Sequence, residues 1–276
     1  MKIITDTSSL FTPEEGAQAG LTVIPSCTII GNDVYRDYAD ISSEAFLEKI
    51  RGGAVPTTSQ PSISDVIDAY EACPEEMLVL PIGDGLSGTY QNMTAAAQMV
   101  EGHKSIHVID TQTLAGPQRY LVRKAMMLRD QGRSIAEIKD ALMESIRSSA
   151  SFVIPQDFNF LRRSGRLTAI AAKLGTVLKI VPILTQTEDM KRITVLAIKR
   201  ARNKAVAALI DHLKEMGVDE HYLITIAHGG VKEEAMAVME RFREQFRTSA
   251  IELFTLPPTL ICHGGPGCIV VQTVRM

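Results

Sequence analysis

The sequence predicts an α/β protein of two lobes, with a Rossmann-like parallel sheet and flanking helices in the first and a mixed sheet in the second. Three observations carry this. Through the first half, short apolar runs alternate with amphipathic ones, the pattern of parallel strands joined by helical crossovers. From about Ser151 the pattern changes to a polar-aromatic stretch, QDFNFLRRSGRL, and then to a hairpin. A length of 276 residues suits one large domain or two of ordinary size. The expected lobes cover residues 1–150 and 151–276.

The elements follow in order. KIIT is a short strand ending at Asp6-Thr7-Ser8-Ser9, and TPEEGAQAG opens a helix with a cap and a proline in its first turn. LTVIPSCTIIG is extended, and SSEAFLEKIRGG is a capped helix closed by glycines. TTSQPS reads as a turn before an amphipathic helix that places Ile63, Val66, Ile67 and Tyr70 on one side. The strand MLVLPI, a helix after Ser87, the strand SIHVID and a long helix from about Gly116 to Gln131 come next. SIAEIKDALMESIRSS then bridges to the second lobe. There FVIP is a strand, AIAAKLGTVL a small-residue helix, and KIVPILT one arm of a hairpin turning at Glu188-Asp189. Helix 203–216, strand 222–227, helix 232–246 and strand 250–256 complete the order. The stretch from Leu253 to Val274 has no charged residue, but its prolines and glycines make it a buried loop and strand, not a membrane helix.

Composition excludes several functions. A net charge of −3 offers no basic stripe for nucleic acid. The four cysteines make neither a C-x-x-C pair nor a zinc pattern, and no signal peptide precedes MKIITDTSSL, so a reduced, cytoplasmic setting is expected. The 12 methionines against 5% aromatic residues suit an aliphatic pocket or a gap-filled core.

The chemistry concentrates in GDGLSGTYQN, where a strand hands over to a helix. Such a position suits an anion, whether phosphate, carboxylate or reaction oxyanion, or Ser87 is a nucleophile. HGGPG at His263 to Gly267 has the composition of a hydrolase oxyanion loop, but it follows the serine instead of preceding it, and the elbow lacks its second glycine. No P-loop occurs. GDGLSG nearly meets the dinucleotide fingerprint, with Asp110 at the next strand end, yet its hydroxyls are not what a dinucleotide needs. TDTSS, TTSQPS and GLSGTYQ are three hydroxyl-rich turns that either cap helices or, at one sheet edge, cluster as neutral donors suited to a carboxylate. His263 is either a core histidine or a further donor there. Arg162, Arg163 and Arg166 fall in a loop before a helix, and IKRARNK adds Lys199, Arg200, Arg202 and Lys204. Arginine forks grip carboxylate and phosphate.

IITDTSS, TTSQPS, GLSGTYQN, LRRSGR, PIL, KRARNKA and HGGPGC, in this order, resemble the DegV family of bacterial fatty-acid-binding proteins. The resemblance implies a carrier without catalysis of its own and without a cofactor. It would bury one long-chain fatty acid and present the carboxylate to a fatty acid kinase related to dihydroxyacetone kinases, whose acyl phosphate product feeds phospholipid synthesis. Matched motif by motif, Thr58, Ser87 and the Gly88 amide would bind the carboxylate, with His263 near it and Arg163 supporting the network. Arg166 and Arg202, with Arg200 as the alternative to Arg202, would contact the kinase or the developing phosphate. The family often has a serine where Gly83 or Asp84 stands, and Asp84 would repel a bound carboxylate unless it points to solvent. An enzyme acting on a small organic acid or nucleotide at the same anion site is the rival reading.

Overall fold

The computed structural model describes residues 1–100, 105–173 and 180–276. Its first half holds strands β1 (Lys2–Asp6), β2 (Thr22–Ile24), β3 (Cys27–Ile30), β4 (Asp33–Arg36), β5 (Thr57–Ser59), β6 (Met77–Leu80) and β7 (Ile106–Val108). The second half holds β8 (Ala150–Ile154), β9 (Val181–Gln186), β10 (Ile193–Lys199), β11 (Tyr222–His228), β12 (Ala250–Thr255) and β13 (Ile269–Arg275).

β2-β1-β6-β7 form a parallel sheet. Its side chains alternate between two cores, as the two-residue period of a strand requires. Ile4, Met77 and Val79 pack with Val66, Tyr70 and Met93 of helices Ile63–Glu71 and Thr89–Met99. Ile3, Leu78 and Leu80 pack with Leu121, Ile138 and Leu142 of helices Ala115–Asp130 and Ile135–Ser148. Tyr70 is fully buried and Ile67 partly so, but Ile63 is 42% exposed at the helix start. Capping boxes start helices Pro13–Gln18 (Thr12 with Glu15) and Ile135–Ser148 (Ser134 with Glu137).

The second sheet runs β10-β9-β8-β13-β11-β12, mixed because β11 and β12 are parallel while the other neighbours are antiparallel. Phe152, Ile154, Ile224, Ile226 and Val271 bury one face against helices Arg202–Glu215 and Lys232–Gln245. Helix Ala115–Asp130 touches β1 and β6 on one side and β11 and β13 on the other, so it is a middle layer shared by both sheets. Gly116 makes this approach possible: its amide donates to Gln272 Oε1 at 3.1 Å, and a Cβ there would stand 1.9 Å from Thr225 Oγ1.

Three sequence expectations are corrected. TTSQ is not a simple turn, because Thr57–Ser59 is an edge strand in a small antiparallel sheet, β4-β3-β5. Arg162 and Arg163 lie in a short helix, Phe158–Arg163, started by Asp157, and not in a loop. The segment after Leu256 is a helix, Pro258–Gly264, before β13; it packs under the small sheet and helix Ser43–Arg51. Helix Ala169–Lys173 is described, and the rest of the expected small-residue helix lies outside the described residues. No helix among the described residues is long and apolar enough to cross a membrane.

Candidate functional site: an apolar cavity opening on a hydroxyl-lined chamber

The parallel strands end at a clamp. Asp6, fully buried, accepts hydrogen bonds from the Ser8 amide (2.8 Å), the Ile82 amide (2.7 Å) and Gln118 Nε2 (3.3 Å). It ties the turn after β1 to the turn after β6. Burial raises its carboxyl above the ordinary range, while these donors pull the other way.

Past that clamp, Gly83 lies so close to Gln112 and Thr113 that a Cβ would stand 2.7 Å from their backbone atoms. Gly85, at φ +83°, packs on Lys191 of the β9–β10 turn. Ser87 Oγ lies 2.9 Å from Thr89 Oγ1 and accepts from the Thr89 amide at 3.3 Å, at the start of helix Thr89–Met99. Gly88 is that helix's N-cap, and a Cβ on it would collide with Gln60 Oε1.

Thr58 arrives from β5. Its Oγ1 is 3.0 Å from Nε2 of His263, in the last turn of helix Pro258–Gly264. Burial first, and then the Arg166 charge, push the imidazole pKa down to about 3, so the ring is neutral at physiological pH. What surface His263 keeps faces the cavities it lines. Arg166 donates from Nε to the Leu86 carbonyl at 3.2 Å and from Nη1 to the Ser164 carbonyl.

Thr58, Ser87, Gly88, His263 and Arg166 thereby line one polar chamber of about 710 Å³, mouth included. Ser8, Ser26, Gln60 and Thr259 line it too, and sequence reasoning did not single these out as site residues. Ser8 had a signal, the hydroxyl turn TDTSS. Thr259 had none, since it sits in an uncharged Pro-rich segment.

Beside the chamber is a nearly all-apolar cavity of about 770 Å³, mouth included, walled by residues such as Val153, Leu161, Leu184, Leu256 and Val270. Ile82, Leu86, Leu260, His263 and Arg166 line both spaces. The two are therefore adjoining compartments, one greasy and one hydroxylated, with a guanidinium and a neutral imidazole at the junction.

The other expected residues lie outside the chamber. Arg163 stacks over the Phe160 ring at 4.6 Å and lines a side opening with Thr58, Arg166 and His263. Arg202 forms an ion pair with Glu234 (3.1 Å) and donates to Gln156 Oε1 (2.6 Å) and the Gly267 carbonyl, so its fork is held within the second lobe. Arg200 is exposed in the turn before helix Arg202–Glu215. Asp84 is held by Gln91 (3.2 Å) and Lys191 (3.1 Å), which hold its carboxyl below the usual range, and it lines the outer mouth with Ser87, Gly88 and Arg166.

These placements bear on the candidate chemistries. The histidine at the site bonds Thr58, while Ser87 bonds the amide and hydroxyl of Thr89. Asp110, the candidate ribose contact, accepts from the Asp84 and Gln112 amides instead. Cys262 and Cys268 are buried, their thiols pushed up to about 12, and are no nucleophiles at neutral pH. Among the described residues no cluster of ligating side chains suits a metal. An amphiphilic anion matches the paired compartments.

Known proteins share this fold from end to end. A family model described as "Uncharacterised protein, DegV family" matches residues 1–275. The DegV domain-containing protein SA1258 from Staphylococcus aureus is 30% identical over 277 residues, covering 99% of this chain and 98% of that protein. Among solved structures, a fatty-acid-binding DegV family protein from Thermus thermophilus has a TM-score of 0.90 at 25% identity, covering 100% of this chain and 99% of its own. The fatty acid binding DegV family protein SAG1342 from Streptococcus agalactiae has a TM-score of 0.89 at 25% identity, covering 100% and 98%. With a whole-length family match and relatives of the same length and topology, the chain belongs to the DegV family.

Proposed function

We propose that the chain carries one long-chain fatty acid, with the acyl chain in the apolar cavity and the carboxylate in the polar chamber. The observation behind this is the junction, where Arg166 and His263 line both spaces and Thr58 bonds His263. Burying each methylene contributes about 0.8 kcal/mol, so the chain supplies most of the affinity. The head-group contacts orient it, through Thr58, Ser87 and the Gly88 amide. In the full reading the carrier is cytoplasmic and catalyses nothing alone. It offers the carboxylate, through the mouth bordered by Arg166, Lys191 and Arg192, to a kinase related to dihydroxyacetone kinases that transfers phosphate from ATP.

Native mass spectrometry of the purified protein, followed by solvent extraction, tests the carrier reading. A stoichiometric fatty acid is expected. A protein that is empty and takes up none when supplied refutes it, and turnover of a small acid without a partner would establish the enzyme reading instead. Adding the kinase and ATP and trapping acyl phosphate with hydroxylamine tests the second step.

A further inference from the structure

Behind the chamber wall lies a carboxyl that the carrier scheme does not use. Asp37 is fully buried. Its Oδ2 accepts from Thr7 Oγ1 and from the Thr259 amide, each at 3.3 Å, and its Oδ1 accepts from Thr28 Oγ1 at 3.4 Å. Its own amide donates to the Ser26 carbonyl at 2.9 Å, and the Ser26 amide donates to Thr7 Oγ1 at 3.0 Å. Each partner is part of the chamber wall or one step from it. Ser26 and Thr259 line the chamber, and Thr7 precedes Ser8, which also lines it. Thr28 is the cross-strand partner of Thr58, and Thr259 stands one helical turn before His263. One carboxyl thus joins β3, the strand on which the Thr58 strand pairs, the helix that carries His263 and the first hydroxyl turn.

The hydrogen-bond partners of the carboxyl are two hydroxyls and an amide, all neutral. Charge-assisted contacts to a carboxylate run about 2.7–2.9 Å, shorter than any of the three here, and the neighbouring Arg36 pairs with Asp40 instead.

We propose that Asp37 is a positioning residue of the head-group chamber, held neutral when the chamber contains an anion, so that loading an ionised Asp37 draws one proton from solvent onto its carboxyl. This rests on the carrier reading above. Neutral Asp37 keeps the Thr58 strand and the His263 helix in register. Ionised, it places a second negative charge just behind the one being bound, in a site of low dielectric where like charges repel strongly.

Burial raises the Asp37 pKa to about 7, within reach of physiological pH. The ionisable groups facing it do not obscure that transition. The Cys27 thiol of β3 and the Tyr38 hydroxyl are pushed up by burial, and the Cys262 thiol of helix Pro258–Gly264 is pushed up to about 12. Asp6, before the Thr7 turn, is a buried carboxyl with its own donors, and the Arg36–Asp40 pair lies toward solvent.

The test is the pH dependence of binding, measured on the full chain with the fluorescent fatty acid cis-parinaric acid. Wild type is expected to lose affinity above about pH 7, by up to about tenfold per pH unit. Asp37→Asn, which mimics the neutral acid, should bind as wild type does at pH 6 and stay within about threefold up to pH 8.5. Calorimetric titration of wild type with oleic acid at pH 8, in two buffers of different ionisation enthalpy, should show uptake of close to one proton and needs no variant. A flat wild-type profile, coincident wild-type and Asp37→Asn profiles, or no proton uptake overturns the role of Asp37 and leaves the carrier reading standing. A wild type that takes up no fatty acid at any pH removes both.

Discussion

Replacing Thr58 with valine keeps the volume of the β5 side chain and removes one hydroxyl. That hydroxyl is 3.0 Å from His263 Nε2 and lines the chamber, so two effects should separate. A hydrogen bond to a charged group is worth about 1.5–3 kcal/mol, which makes the expected loss of affinity for a fatty acid roughly ten- to hundredfold. The His263 nitrogen also loses its partner, at about 1–3 kcal/mol of stability, or several degrees of melting temperature for a chain of this size. The assay is displacement of cis-parinaric acid at pH 7 by palmitic acid and by methyl palmitate. Wild type should prefer the acid. Thr58→Val should lose most of that preference while binding the ester within about twofold of wild type. Equal losses for acid and ester would show that the variant only distorts the protein, and an unchanged acid affinity would remove Thr58 from the head-group site.

Three further outcomes are expected. Affinity in a saturated series should rise about fourfold per methylene until the apolar cavity is filled and then level off, and Val270→Phe, which narrows that cavity, should move the plateau to shorter chains; a series flat from the start would contradict burial of the chain. Gly116→Ala should cost about 1–3 kcal/mol or more through overpacking against Thr225, read as a drop in chemical-denaturation midpoint, and an unchanged midpoint would mean that the middle helix can shift. His263 has a folded pKa lowered to about 3 against 6.5, so the unfolded chain binds the extra proton between those values and stability should rise with pH across that window; denaturation of His263→Gln should show a shallower slope there.

Much of the fold is legible in the sequence because its strands bury both faces and its helices announce their ends. Met77–Leu80 is a continuous apolar run, and Ser134 with Glu137 spells a capping box. The small antiparallel sheet is not legible, since β5 has three residues, all Ser or Thr, and pairs along one edge only. Pro258–Gly264 hides for a related reason. A seven-residue segment with glycine at its end and no side-chain cap has little local reason to be helical, and packing under the small sheet supplies the reason. The hydroxyl turns point to Thr58 and Ser87 through their chemistry. What sequence does not reveal is which arginine reaches the chamber: Arg163 and Arg166 are three residues apart, and a helix end falling between them turns one onto Phe160 and the other onto the junction.

Several walls of the apolar cavity are also members of the hydrophobic cluster between the sheets: Ile82, Leu86, Ala115, Leu256, Leu260 and Val270 belong to both. On the carrier reading, a seated acyl chain would be interior filling as much as cargo. By mass action a ligand at a hundred times its dissociation constant adds about 2.7 kcal/mol to the folded state. On the carrier reading, delivery of the lipid would therefore leave behind a less durable protein, whose survival would depend on how soon it is refilled.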